Sequence, residues 1–426
     1  MDYLRIVADQ KEDLAQIPLD DYCLRRKVSE IEMDSPLAQV VIGMRRSGKT
    51  TMCLQALHIA QKAFAYLNFD DEALVTASVE DLNYLLEAMH IVYGDFTHIF
   101  LDEIQNIEGW ELFVNRLLRK GLHVVLTGSN SNTLSRELGS HLTGRYKEIE
   151  LLPFSFAEFL AFKHITPDTT STRGRAELQK AYHYYAAKGG IPEALMMADS
   201  RNYIKTLYNA ILFKDVTKRY NVRYPKVLSM LSSSLMQNFC REVSCLGLAK
   251  ELSVKSVHTI QNYVDYLEKA YLIKQLPRFS FKPSKKQQNN KAYAIDLGMV
   301  SSFSGIEDSE TNWGWRMENL VFLKLYSERE DGNYELFYWN NGVEVDFVIV
   351  QENRARNLIQ VCYSLDKKET RERECTSLIA AARKLHCTDL SIVNMNLRAD
   401  WEEDGLHIKV IPVIDFLLIG SSGDKI

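Results

Sequence analysis

Several classes of protein leave no mark in this sequence. The seven cysteines, at 23, 53, 240, 245, 362, 375 and 387, are scattered, odd in number and never in a C-x-x-C pair. That pattern argues against a disulfide framework or a cysteine zinc site and predicts reduced thiols in the cytoplasm. No apolar run approaches the ~20 residues a bilayer demands, and the polar, acidic N-terminus does not read as a signal peptide, so no membrane partner is expected. Proline and glycine are few, at 9 and 20, and neither an internal repeat nor a long low-complexity segment occurs. Charge of one sign is also missing. The net charge of −5 argues against a generally basic nucleic-acid binder, while leaving room for a basic patch on one domain.

What remains is ordinary globular composition, 46 % hydrophobic and 25 % charged, over 426 residues. That is long enough for two to four domains. Short apolar runs at 38–42, 63–67, 98–101 and 123–126 are bounded by turn residues or charges, as expected of parallel strands buried on both faces. Amphipathic stretches lie between them, such as Trp110 to Arg119 with Leu112, Phe113, Leu117 and Leu118 on one face. This alternation predicts an α/β domain over 1–154. Residues 155–225 read as helical, with a break at Gly189-Gly190-Ile191-Pro192 and a second long helix from Asp199. Residues 226–304 read as short helices followed by a strand hairpin, and 305–426 return to α/β alternation.

The first apolar run leads into Gly43-Met44-Arg45-Arg46-Ser47-Gly48-Lys49-Thr50 and then a helix beginning near Thr51. This matches G-x-x-x-x-G-K-S/T in the strand-to-helix context that a phosphate loop needs. Gly43 and Gly48 let the backbone curl around phosphates with its N–H groups inward, Lys49 neutralises β/γ charge, and Thr50 ligates Mg²⁺. The matching acids close the strand Ile99-Phe100-Leu101. Asp102 is placed to hold the Mg²⁺ and Glu103 to polarise an attacking water. ATP and Mg²⁺ are therefore the expected cofactors. The next strand runs into Thr127-Gly128-Ser129-Asn130, where Ser129 and Asn130 have two readings, contact with the γ-phosphate or a helix N-cap. Arg145 is the candidate for stabilising transition-state charge, provided that a domain or multimer contact carries it to the nucleotide.

These motifs occur in order with Leu67-Asn68-Phe69-Asp70-Asp71, Leu142-Thr143-Gly144-Arg145, Leu152-Pro153-Phe154-Ser155-Phe156 and Gly189-Gly190-Ile191-Pro192-Glu193. Together they resemble the bacterial and archaeal AAA-type P-loop ATPases with a C-terminal domain of unknown function, the group AAA_14 with DUF4143. The resemblance covers nearly the whole chain. It implies an AAA+-like core, a helical lid, a winged-helix domain and a restriction-endonuclease-like α/β domain, and it implies no substrate.

The residues of the C-terminal half bear on the last two. Leu248 to Leu252 reads as a first helix, followed by a break at Ser253–Ser256 and a second helix with Ile260, Tyr263, Val264 and Leu267 inward. Ser256, His258, Thr259, Gln261 and Asn262 would then face bases, and Lys282, Lys285, Lys286 and Lys291 would form a basic hairpin suited to phosphates. A packing or protein-binding module is the alternative reading. Further on, a helix with Glu318 near its start, a strand carrying Asp346 and a strand with Gln360-Val361-Cys362 resemble the PD-(D/E)xK nuclease superfamily. Gln360 and Cys362 stand where an acid and a lysine are expected, which predicts a degenerate site at Glu318, Asp346 and Gln360, with an active Mg²⁺-dependent DNase as the alternative. Asp346 inside an apolar strand requires a partner that the sequence does not name. The expected partners are DNA, a second copy of the chain, or another protein.

Overall fold

The computed structural model describes residues 2–128, 142, 144–280, 290–303 and 310–419. Ser129, Asn130, Lys282, Lys285 and Lys286 lie outside the described residues. The chain divides into two compact units, Met1–Pro153 and Phe154–Ile426.

The first unit is built on five parallel strands, β1 (Ala38–Gly43), β2 (Phe64–Asn68), β3 (His98–Asp102), β4 (His123–Gly128) and β5 (Tyr146–Leu151), in the order β2-β3-β4-β1-β5. The four apolar runs are the first four of these strands. The fifth escaped the pattern because Tyr146-Lys147-Glu148 occupy its first half, and a sheet edge tolerates polar side chains that a central strand does not. Helices α1 (Tyr3–Ala15), α2 (Lys49–Ile59), α3 (Leu82–Tyr93) and α4 (Trp110–Arg119) accompany the sheet. In α4 the buried apolar residues are Trp110, Phe113, Val114 and Leu117, at i, i+3, i+4 and i+7. Leu112, expected on that face, is 57 % exposed, because one residue before Phe113 is a rotation of 100° away from it.

At the N-terminal ends of β3 and β4 the imidazoles of His98 and His123 stack at 4.7 Å. Each bonds a carbonyl of the turn before β1, His98 Nε2 with Met33 O and His123 Nδ1 with Ser35 O, both at 2.9 Å. Lys62 neutralises the adjacent Asp34. This ties the turn to the end of the sheet away from the phosphate loop.

The second unit begins with helices α5 (Phe156–Phe162), α6 (Thr172–Lys188), α7 (Pro192–Met196) and α8 (Ser200–Ala210), the last continuing as a π-helical turn to Lys218. The expected break at Gly189–Pro192 is present, and Asp199 caps α8 through the Asn202 N–H. Next come α9 (Pro225–Gln237), α10 (Cys245–Glu251) and α11 (Val257–Lys269), with Ile260, Tyr263, Val264 and Leu267 buried as the spacing predicts. Strands β6 (Arg241–Glu242), β7 (Ile273–Leu276) and β8 (Lys291–Ala294) form an antiparallel sheet in the order β6-β8-β7.

After α12 (Leu297–Ser302) and α13 (Glu310–Glu328), strands β9 (Glu335–Asn340), β10 (Glu344–Gln351), β11 (Arg354–Val361), β12 (Leu390–Asn394), β13 (Ala399–Glu403) and β14 (Leu406–Pro412) make a mixed six-stranded sheet. Its order is β13-β14-β12-β11-β10-β9. Helices α14 (Lys368–Leu385) and α15 (Val413–Leu418) complete the unit. Leu378, Ala382 and Leu385 of α14 pack with Val348, Val350 and Leu358 of the sheet in one apolar core. Glu318, expected near a helix start, lies in the middle of α13, because that helix begins at Glu310, before the apolar pattern that marked it.

Candidate nucleotide-binding site

The phosphate loop leaves β1 at Gly43, whose φ of 153° is a conformation that side chains disfavour. A Cβ at Gly43 would stand 2.2 Å from the carbonyl oxygen of Leu151 on β5, so glycine is required by space as well as by torsion. Gly48, at φ 91°, then turns the chain into α2. Lys49 is buried, and its Nζ donates to the carbonyls of Gly43 and Met44 at 3.2 and 3.1 Å. It also faces Glu103 Oε1 at 3.7 Å. The Ser47 hydroxyl is buried with no hydrogen-bond partner among the described residues. Arg45 pairs with Asp70 at 3.7 Å, Arg46 is exposed, and Thr51 is half-buried in the first turn of α2.

Because β4 lies between β1 and β3, the loop, Asp102 and Thr127 converge at the C-terminal end of the sheet. The Thr50 hydroxyl donates to Asp102 Oδ2 at 2.8 Å, and the Tyr66 hydroxyl donates to the same oxygen at 3.3 Å. The Thr127 hydroxyl donates to Asp102 Oδ1 and accepts the backbone N–H of Glu103 at 3.0 Å. Burial, reinforced by the neighbouring Glu103 charge, pushes the Asp102 carboxyl up to about 6, against the pull of Thr127, Thr50 and Lys49. Glu103 itself sits at φ 52°, a left-handed backbone rare outside glycine and frequent at functional positions, and Gln105 donates to its carboxylate. A loop with an orphan hydroxyl and inward lysine, facing a hydroxyl–carboxylate pair, has the donor set that a nucleotide phosphate and Mg²⁺ require.

Arg145 is placed elsewhere. It is exposed beside Asn115 and precedes β5 where Ala38 begins β1, so the length of β1 separates it from Gly43, roughly 20 Å at strand rise. Within its own chain it does not reach the phosphate loop. Arg25, which carried no motif, is buried against that loop instead. Its guanidinium donates to the carbonyl of Ser47 and, at 2.7 Å, to that of Leu152.

In the second unit, Ser256 caps α11 through the Thr259 N–H at 3.4 Å, while His258 and Gln261 are exposed and Thr259 and Asn262 half-buried. Glu318 and Asp346 are brought together by Lys291, whose ammonium lies 3.2 Å from Glu318 Oε1, 3.2 Å from Asp346 Oδ1 and 2.7 Å from Glu344 Oε1. Lys291, expected on a solvated hairpin, is only 3 % exposed. The alternation of Lys291-Ala292-Tyr293 along β8 was the available signal, since it puts the lysine on the same face as an aromatic anchor. Gln360 accepts the Asp346 N–H at 3.3 Å and donates to Glu374 Oε2 at 2.9 Å.

A family model described as an AAA domain matches residues 35–160, and models for the domains of unknown function DUF8612 and DUF4143 match 179–310 and 313–416. An uncharacterized protein of Methanocaldococcus jannaschii is 35 % identical over 409 residues, which is 92 % of this chain and 89 % of that protein. The chain belongs to the AAA-type P-loop ATPases with a C-terminal DUF4143 region. An uncharacterized protein of Haemophilus influenzae is a further relative, 30 % identical over 68 % of this chain and 75 % of its own length. Among solved structures, a Walker-type ATPase of Pyrococcus abyssi aligns with 65 % of this chain and 93 % of its own, at 15 % identity and a TM-score of 0.44. No described helix is long and apolar enough to cross a membrane.

Proposed function

We propose that this chain is a Mg²⁺-dependent ATPase that works as a switch or motor and acts on DNA through its C-terminal half. The observation that carries the ATPase reading is the convergence of Lys49, Thr50, Asp102 and Glu103 at one end of the parallel sheet. Lys49 neutralises the β- and γ-phosphates once it exchanges the loop's own carbonyls for them. Thr50 and Asp102 hold the Mg²⁺, which supplies charge neutralisation at the transferring phosphoryl group. Glu103, oriented by Gln105 and by the Thr127 bond to its backbone, polarises the attacking water. Arg145 serves the site only from a neighbouring copy.

In the same reading residues 155–225 act as a helical lid, 226–304 as a winged helix with α11 as the reading helix, and 305–426 as a nuclease-like scaffold. DNA contact is supported by the polar, exposed face of α11 around His258 and Gln261, opposite its buried face. The burial of Lys291 favours the alternative of a protein partner, since it removes a cation from the hairpin surface.

ATP turnover with and without single- and double-stranded DNA tests both. Lys49→Ala is expected to abolish nucleotide binding, and Glu103→Gln to keep binding while slowing hydrolysis by about 10²–10⁴-fold. Normal turnover in Glu103→Gln would remove Glu103 as the base. Turnover indifferent to DNA, with no gel shift at low salt, would leave the ATPase standing and end the DNA reading.

A further inference from the structure

A nuclease-like domain implies a divalent cation between Glu318 and Asp346, and the residues present do not fit one. Both oxygens of Asp346 are taken, Oδ1 by Lys291 at 3.2 Å and Oδ2 by the backbone N–H of Val361 at 2.9 Å. Glu318 Oε1 accepts from Lys291 and from the Tyr293 hydroxyl at 2.8 Å. Gln360 spends its carbonyl on Asp346 and its amide on Glu374. Mg²⁺ demands near-octahedral oxygens at about 2.1 Å, and here it would have to sit against an ammonium already in its place.

The same lysine belongs to a set of contacts that fasten β8 to α13. The Tyr293 ring stacks on Phe322 at 4.0 Å. Beyond the reach of the two-residue β6, the Asn319 side chain continues the sheet, accepting the Ala294 N–H and donating to the Ala294 carbonyl, both at 2.9 Å. Cys240, just before β6, donates to the Trp315 carbonyl at 3.2 Å. Residues 291, 293 and 294 of β8 are thus all held by 318, 319 and 322 of one helix, with Asp346 and Glu344 of β10 closing the other side.

We infer that Lys291 replaces the divalent cation in this chain, and that the Glu318–Asp346 pair is a latch joining the β6-β8-β7 sheet to the C-terminal sheet rather than a cutting site. A buried pair of this kind costs desolvation and adds little net stability while intact, whereas removing one partner strands the other's charge.

The test counts Mn²⁺ bound to the full chain without nucleotide, by electron paramagnetic resonance, for the native protein and Asp346→Asn. Equal stoichiometry is expected, and loss of one Mn²⁺ in Asp346→Asn would overturn the inference. Thermal unfolding supplies the second readout. Lys291→Met strands the carboxylates and is expected to lower the midpoint by on the order of 10 °C, or to abolish the transition of the second unit. Lys291→Met/Asp346→Asn is expected to recover part of the loss, because it removes a stranded charge. A Lys291→Met midpoint equal to that of the native protein would sink the latch. The Mn²⁺ comparison does not depend on Lys291→Met folding.

Discussion

Thr50 and Asp102 are joined directly, hydroxyl to carboxylate, at 2.8 Å. Asp102 is buried beside Glu103, and its carboxyl is pushed up to about 6. Since folding raises this group above its usual value of 3.8, the folded protein holds the proton between about pH 4 and 6, where the unfolded chain has lost it. The resulting stabilisation is complete below about pH 4 and is lost as pH rises through about 6, a swing of about 3 kcal/mol at most. In urea titrations without nucleotide, the native protein minus Asp102→Asn is expected to show that slope between pH 4 and 6 and none above 7. A flat difference would mean that Asp102 is not held as described. On the proposed role of Asp102 as a Mg²⁺ ligand, binding takes the anion, and Mg²⁺–ATP affinity is expected to fall as pH drops below about 6.

Arg25 gives the second prediction. Its guanidinium bridges the carbonyl of Ser47 inside the phosphate loop and the carbonyl of Leu152 beyond β5. Arg25→Met keeps most of the buried volume and leaves two carbonyls without their charged donor, at about 1–3 kcal/mol. Since one of them belongs to the loop, ATP affinity is expected to weaken about 10-fold with kcat little changed, read by isothermal titration and steady-state kinetics. A variant with native affinity would confine Arg25 to the packing of residues 19–30.

What the sequence made legible follows from range. The loop, the acids and the helix faces are local patterns, and β1–β4, α4 and α11 appear where periodicity placed them. Lys49, Thr50, Asp102 and Glu103 meet because the two motifs end strands β1 and β3, which flank β4 in one parallel sheet. Arg25 and Glu374 were missed because each acts on a residue that no local pattern links to it, and Lys291 was read as surface charge although its alternation with Tyr293 put the two on one face of β8. Asp346 was the informative case. Its cost inside an apolar strand announced a partner, and the partner was a lysine read as surface charge. Leu112 shows the opposite failure, an apolar residue that solvent simply tolerates.

The Gly189-Gly190-Ile191-Pro192 segment was legible as a break, without a reason for its glycines. The reason is Asp296, buried at the start of α12, whose carboxylate accepts the N–H of Gly190 at 2.6 Å and of Gly298 at 2.8 Å. Gly189 has φ 79°, and a Cβ there would stand 2.1 Å from Asp296 Oδ1. Gly189→Ala therefore adds backbone strain and displaces the carboxylate, about 3 kcal/mol together, or a midpoint lowered by on the order of 10 °C. Asp296→Ala is expected to lose a comparable amount by stranding the two N–H groups. Calorimetry on the full chain decides it, and a Gly189→Ala midpoint within 2–3 °C of native, little more than 1 kcal/mol, would refute the clamp.

The last prediction concerns α11. Its buried residues Ile260, Tyr263, Val264 and Leu267 fix which side is turned outward, and Gln261 and His258 are exposed on that side. Neither belongs to the unit that carries the phosphate loop, so changing them should leave basal ATP turnover intact. If α11 lies along DNA, Gln261→Glu and His258→Glu put negative charge against phosphates and weaken binding by about 10-fold or more at low salt. The stimulation of turnover by DNA should fall in parallel, since both readouts would pass through one surface. If the surface instead receives a protein, DNA affinity will be the same in native and variant chains. Ser256→Ala serves as the contrast, because Ser256 caps the helix, and its loss should cost about 1 kcal/mol of stability without a change in salt dependence.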